Sequence, residues 1–113
     1  MILSKMGVRT NQYVMDVGCG KGDYIFSLSP KTFAVGIDIN REKITLAMQH
    51  GMHNSYYLVA DCAHLPLRDK VFNEALCVDV LHMPGDYELI ISEMFRCLNL
   101  GGSLLITLLN ANF

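Results

Sequence analysis

The sequence predicts an α/β fold, built on one parallel sheet that is buried on both faces. Three observations carry this. Short apolar runs alternate with helical or loop segments in the order β-α-β-α-β-loop-β-α-β. Four of the runs end in or lead straight into an acid, at Asp16, Asp38, Asp61 and Asp79. After the first run, glycines stand at every second position, Gly18, Gly20 and Gly22. Residues 14–24 therefore read as strand, tight turn and helix N-terminus, a junction where a ligand can approach main-chain N–H groups.

The bulk properties bound the possibilities. With 113 residues, half of them hydrophobic, positions 1–113 form a single domain with one core. No apolar run approaches the ~18–20 residues of a membrane-spanning helix. Residues 1–6 lack the pattern of a signal peptide. A net charge of −2 without a basic cluster argues against stable nucleic-acid binding, though a nucleic acid as a transient substrate stays open. Cys19, Cys62, Cys77 and Cys97 show neither a close pair nor metal-ligand spacing, which points to a reduced, cytoplasmic protein without a metal.

Taken in order, residues 1–12 form one helical turn or an extended arm. Residues 13–17 make the first strand. Residues 23–29 make about two helical turns, stopped by Pro30. The second strand covers 33–38, and Asn40 caps a helix whose Ile44, Ala47 and Met48 share a face, with a stop at Gly51. The third strand covers 56–60. A loop broken by Pro66 spans 61–70, and the fourth strand covers 71–78. Gly85 and Asp86 open a helix with Ile91, Met94, Phe95 and Leu98 on one face. Gly101 and Gly102 end that helix, and 103–109 form the fifth strand.

The acids say what the ligand is like. At the carboxyl edge of such a sheet, four carboxylates bind polyphosphate poorly and suit hydroxyls, amines or a cation. Asp38 lies 20 residues after Gly18, where a second-strand acid can accept from both ribose hydroxyls. A dinucleotide fingerprint wants a glycine at position 23, which is Asp23 here. No G-K-[ST] follows the glycines either, so a Walker-type loop is excluded.

A family resemblance runs through these segments. D-V-G-C-G-K-G at 16–22 resembles the first motif of class I S-adenosylmethionine-dependent methyltransferases. G-I-D-I-N at 36–40 resembles their second motif, A-D-C-A-H-L-P at 60–66 the loop that holds adenine, and F-N-E-A-L-C-V-D-V-L-H at 72–82 the fourth strand and its exit. R-C-L-N-L-G-G-S-L-L-I-T at 96–107 resembles the turn into the fifth strand. The resemblance covers almost the whole chain and is strongest to the broad type 11 group, which includes ubiquinone- and menaquinone-methylating enzymes.

The resemblance implies a Rossmann-like α/β/α sandwich with sheet order 3-2-1-4-5. It also implies S-adenosylmethionine as cofactor, with S-adenosylhomocysteine as product. On this view Gly18, Cys19, Gly20 and Gly22 pass beneath the cofactor, Asp16 helps to fix its ammonium end through water and Asp38 holds the ribose. Asp61 accepts from the adenine amine, Cys62 donates through its N–H, and Ile39 and Leu65 flank the ring. Val78 and Asp79 face the methionine end.

His82 follows the fourth strand. It is either a catalytic base, with Asp79 as the other candidate, or a loop histidine lining a pocket, and Met83 beside it is a possible substrate contact. His50 and His53 read as surface residues and His64 as packing. Cys19 reads as structural, with a thiol that a helix N-terminus would acidify.

The family's domain continues into a helix and an antiparallel hairpin, whereas this chain stops after the fifth strand. Truncation, a natural short form and completion by a partner are all consistent with that. The fifth-strand edge is then expected to pair with a second copy or another subunit. The methyl acceptor is expected to be a small molecule. The alternatives are a catalytically silent cofactor-binding subunit and, more weakly, an NAD-dependent oxidoreductase.

Overall fold

The computed structural model describes residues 12–27, 32–50, 54–78 and 87–107. Within them the chain forms β1 (Tyr13–Val17), a 3₁₀ turn (Ile25–Ser27), β2 (Phe33–Asp38), α1 (Arg41–Gln49) and β3 (Ser55–Val59). It continues through β4 (Phe72–Cys77) and α2 (Tyr87–Cys97) to β5 (Leu98–Ile106). Every strand pair is parallel, and the sheet order is β3-β2-β1-β4-β5. The strand order reverses between β1 and β4, so their carboxyl ends flank the crevice where open α/β sheets take ligands. Among the described residues no helix is long and apolar enough to cross a membrane.

Burial on both sides explains the unbroken apolar runs. Val14, Met15, Asp16 and Val17 are all buried, and alternation divides them between two cores. Val14 packs with Ala34, Leu76, Cys19, Ile25 and Ile44, on the face that carries the glycine turn and α1. Met15 and Val17 pack with Ile37, Ala75 and Cys77 against Leu65 of the 61–70 loop and against Ile90 and Met94 of α2. The result is three layers. Asn40 caps α1 as expected, its side chain accepting from the Lys43 N–H at 3.0 Å, a contact worth about 1 kcal/mol.

The structure corrects several local expectations. Between 23 and 27 there is no two-turn helix: residues 21–24 are turn, followed by the 3₁₀ turn. One i+4 bond forms, from the Phe26 N–H to the Gly22 carbonyl at 3.1 Å, but the Ser27 N–H already closes the tighter i+3 bond to the Tyr24 carbonyl at 3.1 Å. Met48 is 62% exposed, so α1 buries Ile44 and Ala47 alone. In α2 the buried stripe is Ile90, Met94 and Cys97, while Phe95 is 61% exposed and Ile91 half-buried. Two helical phases fitted that apolar pattern, and the sheet selected the one carrying the small Cys97.

Gly101 and Gly102 do not stop α2, which ends at Cys97. They lie inside β5, which begins at Leu98. Register slips there from Phe72↔Leu98 to Glu74↔Ser103, with Gly101 at φ 79°. A Cβ on Gly102 would stand 3.0 Å from the carbonyl oxygens of both Asn73 and Asn99. This is a bulge at a close backbone approach. β3 and β4 differ from expectation by one residue at their ends. Gly51, Pro30, Gly85, Asp86 and positions 108–109 lie outside the described residues.

Gly36 shows how tightly the glycine turn sits on the sheet. A Cβ there would meet Cys19 Sγ at 2.7 Å, Ile25 Cδ1 at 2.9 Å and Tyr57 Cδ1 at 2.9 Å. Gly36→Ala is therefore expected to destabilise the fold by about 1–3 kcal/mol, as overpacking does. Urea unfolding checks this, and an unchanged midpoint would contradict the packing described.

Candidate cofactor site

The glycine turn begins where β1 ends, at the switch point. Gly18, Gly20 and Gly22 adopt φ of 77°, 56° and 83°, a left-handed conformation at every second residue. The turn is pinned to the exit of β2. The N–H groups of Gly18 and Cys19 both donate to the Ile37 carbonyl, at 2.7 and 3.0 Å. The Gly20 N–H donates to Asp38 Oδ2 at 2.9 Å, and the Gly22 N–H to the Cys19 carbonyl at 2.9 Å. The sequence suggested that a ligand would use such donors, but these four are already satisfied within the chain.

What the site offers instead is acceptors. Asp16 shares the face of Val14 and lies in register between Gly36 on β2 and Leu76 on β4. It is 1% exposed, and neither carboxylate oxygen has a hydrogen-bond partner. Burial first, then the charges of Asp38 and Asp23, push its pKa up to about 7. An unpartnered buried carboxylate is costly, and a ligand ammonium group would satisfy it.

Asp38 accepts from the Gly20 N–H through Oδ2 and from the Asn40 N–H through Oδ1, at 2.8 Å. Each carboxylate oxygen has a second lone pair, so it can still accept from hydroxyls. Further out, Asp61 is exposed and closes an Asx-turn, its Oδ1 accepting from the Ala63 N–H at 2.9 Å.

The remaining expected residues divide. Ile39 is 69% exposed and has apolar surface to give a ring, whereas Leu65 is buried in the larger core. Cys62 is buried, its thiol pushed up to about 11 mainly by burial. Val78 is half-buried against the Val14 core. His64 and His50 are exposed, His50 with its ring edge-on to Phe26. Asp79, His82, Met83 and His53 lie outside the described residues.

Cys19 needs correction. No helix starts beside it, and burial, followed by the charge of Asp16, pushes its thiol well above the ordinary range instead of lowering it. Among the described residues no group of His, Cys, Asp and Glu could hold a metal ion.

The structure also adds residues that the sequence did not single out. Tyr57 pairs in register with Gly36, which pairs with Asp16, so the three form one row across the sheet. The Tyr57 hydroxyl would stand 3.1 Å from a Cβ on Gly22, which makes it part of the bed under the turn. Glu93 and Arg96 brace the 61–70 loop. Arg96 opens the motif at 96–107, but for Glu93, and for the contact of either with the loop, the only sequence signal was an i, i+3 charge pair on a helix.

A parallel 3-2-1-4-5 sheet with a glycine turn after β1 and acids at the exits of β1 and β2 defines a Rossmann-like α/β domain. A family model described as a methyltransferase domain matches residues 9–112, and the chain belongs to that family, the class I S-adenosylmethionine-dependent methyltransferase domains.

The methyltransferase GfsG of Streptomyces halstedii is 31% identical, over 93% of this chain and 40% of GfsG. The demethylmenaquinone methyltransferase of Staphylococcus aureus is 30% identical, over 89% of this chain and 44% of that enzyme. The chain thus spans less than half the length of these relatives. In fold it is similar to phosphoethanolamine N-methyltransferase 2 of Haemonchus contortus, solved in complex with S-adenosyl-L-methionine. The TM-score is 0.86 at 23% identity, over 95% of this chain and 26% of that one.

Asp16 sets a pH dependence. Its pKa is about 7 in the folded chain against an ordinary 3.8, so the folded state holds an extra proton between those values. Its contribution is whole below about pH 4 and is lost as pH rises through 7, a change of about 4 kcal/mol at full extent. Without ligand, Asp16→Asn should therefore gain stability relative to wild type between pH 4 and 8. Urea unfolding of both proteins across that range checks this, and a constant difference would refute it.

Proposed function

We propose that this chain binds S-adenosylmethionine at the exits of β1 and β2 and serves methyl transfer to a small-molecule acceptor. The observation that carries this is the buried, unpartnered Asp16 beside a turn in which the amides of Gly18, Cys19, Gly20 and Gly22 are already bonded. A dinucleotide's pyrophosphate needs free N–H donors, whereas a cationic amino-acid tail needs a carboxylate. The cofactor would supply a methyl group already activated on a sulfonium, so the protein's task is mainly positioning.

Each residue then has a role in holding that group. Asp16, ionised, pairs with the ammonium. Asp38 accepts from the ribose hydroxyls with the lone pairs left by Gly20 and Asn40. Ile39 covers the adenine, with Asp61 and Cys62 at its edge, while Val78 and Asp79 border the methionine end. Gly18, Gly20 and Gly22 keep Cβ atoms out of the cofactor's path. Where the acceptor has to lose a proton, His82 and Asp79 are the candidate bases.

Support comes from the Haemonchus contortus neighbour, whose complex contains S-adenosyl-L-methionine, and from the Staphylococcus aureus relative, named for a small-molecule acceptor. Four free, buried cysteines fit a reducing, cytoplasmic compartment. A second reading is a silent cofactor-binding subunit; among the described residues β5 stands at one edge of the sheet with exposed residues at 100–103. Methyl transfer from labelled cofactor to a panel of small acceptors separates the two.

Isothermal calorimetry with S-adenosylhomocysteine tests binding. Wild-type affinity should rise with pH through about 7 as Asp16 ionises. Asp16→Asn should lose about 1.5–3 kcal/mol of binding at pH 8 and most of that pH dependence. Binding of NADH with none of S-adenosylhomocysteine would overturn the reading.

A further inference from the structure

Arg96 stands in the last turn of α2, and its side chain reaches across to the 61–70 loop. Nη1 donates to the Leu67 carbonyl at 2.8 Å and to Asp69 Oδ1 at 2.7 Å. Nη2 donates to the Leu65 carbonyl at 3.0 Å and to Glu93 Oε1 at 3.1 Å, while Nε donates to Glu93 Oε2 at 2.6 Å. Glu93 Oε1 in turn accepts from the Leu65 N–H at 2.8 Å. One ion pair thus holds both main-chain groups of Leu65. The α2 backbone secures the far end of the loop, with Lys70 N–H bonded to the Arg96 carbonyl and Val71 N–H to the Cys97 carbonyl, both at 2.9 Å.

The near end of the loop is held by the β2 exit. The Ala60 N–H donates to the Asp38 carbonyl at 3.1 Å, and the Cys62 thiol makes a weak contact with the Ile37 carbonyl at 3.9 Å. Asp61 therefore sits between two anchors, one on the ribose-side acid and the other on α2. The side chains of Arg96 and Glu93 are 32% and 20% exposed, so their ion pair adds little to stability by itself. Burial of Leu65 draws the loop toward the core, but apolar contact is non-directional and leaves the backbone course open. A planar guanidinium bridging two carbonyls and two carboxylates fixes that course.

We infer that the Glu93–Arg96 pair is a positioning device that sets the 61–65 backbone so that Asp61 meets the exocyclic amine of adenine. Arg96 itself does not touch the cofactor. This rests on the reading of Asp61 under Proposed function, and it makes the pair a determinant of base specificity acting through the loop.

The test compares equilibrium binding of S-adenosylhomocysteine with that of S-inosylhomocysteine, in which the adenine amine is replaced by an oxygen. Wild type should prefer the adenine ligand about tenfold, as for a hydrogen bond to a charged group. Arg96→Lys keeps the charge but cannot bridge the loop carbonyls, and should lose most of that preference by weakening the adenine ligand alone. Glu93→Gln, which keeps an acceptor for the Leu65 N–H, should lose part of it. Amide exchange at Ala63 and Leu65 should quicken in both variants.

Equal weakening of both ligands would reduce the pair to a stability role, and full preference in Arg96→Lys would also overturn the proposal. Wild type binding neither ligand would instead overturn the cofactor reading beneath it. Wild type binding both equally would remove the role of Asp61, and the proposal with it.

Discussion

The constraint on which the rest of the site depends is the close approach of the glycine turn to β2. Two successive amides share the Ile37 carbonyl, a third reaches the Asp38 carboxylate, and Gly36 has no Cβ to hold the turn away. The row Asp16–Gly36–Tyr57 across three strands shows the geometry at work. Where a side chain is missing in the middle of the row, Cys19 and Ile25 descend onto the sheet. Three left-handed glycines are what allow the chain to leave β1 and fold down so abruptly.

Pinning the turn has an electrostatic consequence. Its Gly18, Cys19, Gly20 and Gly22 amides are spent on the protein's own bonds, which leaves fewer donors for a phosphate. Asp16 is left in the opposite condition, buried and without a partner. The ligand-free protein carries that cost, and protonation relieves it as pH falls through about 7. Such a site is poised for a cation and is less stable without one, a local sacrifice of stability common at functional positions.

The second face of the sheet supports the site from behind. Leu65, Ile90 and Met94 form a shared core, and the hydrophobic effect brings the 61–70 loop and α2 together. Directional bonds from Arg96 and Glu93 then specify the backbone path that apolar packing leaves free. The loop thus depends on a helix far from it in sequence, and on the β2 exit that also anchors the glycine turn.

Much of this was legible in the residues. The strand runs, the Asn40 cap, the loop broken at Pro66 and the parallel sheet follow from burial on both faces and from turn chemistry, which act over a few neighbouring positions. The acids at the strand ends were legible for the same reason: strand polarity alone sends their carboxyl ends to one edge. Other features needed the assembled sheet. The phase of α2, with Cys97 inward and Phe95 outward, was misread from the sequence as a face of Ile91, Met94, Phe95 and Leu98, because both stripes are apolar. Gly101 and Gly102 serve a bulge against β4 that only strand pairing reveals. The bonding of the Gly18, Cys19 and Gly20 amides to the β2 exit, the isolation of Asp16 and the reach of Arg96 to Leu65 all depend on residues distant in sequence. The sequence by itself determined the layers and the chemistry of the site's rim. Only the tertiary structure decided which donors were already taken and which acceptor was left waiting, because hydrogen-bond partners are assigned by three-dimensional proximity.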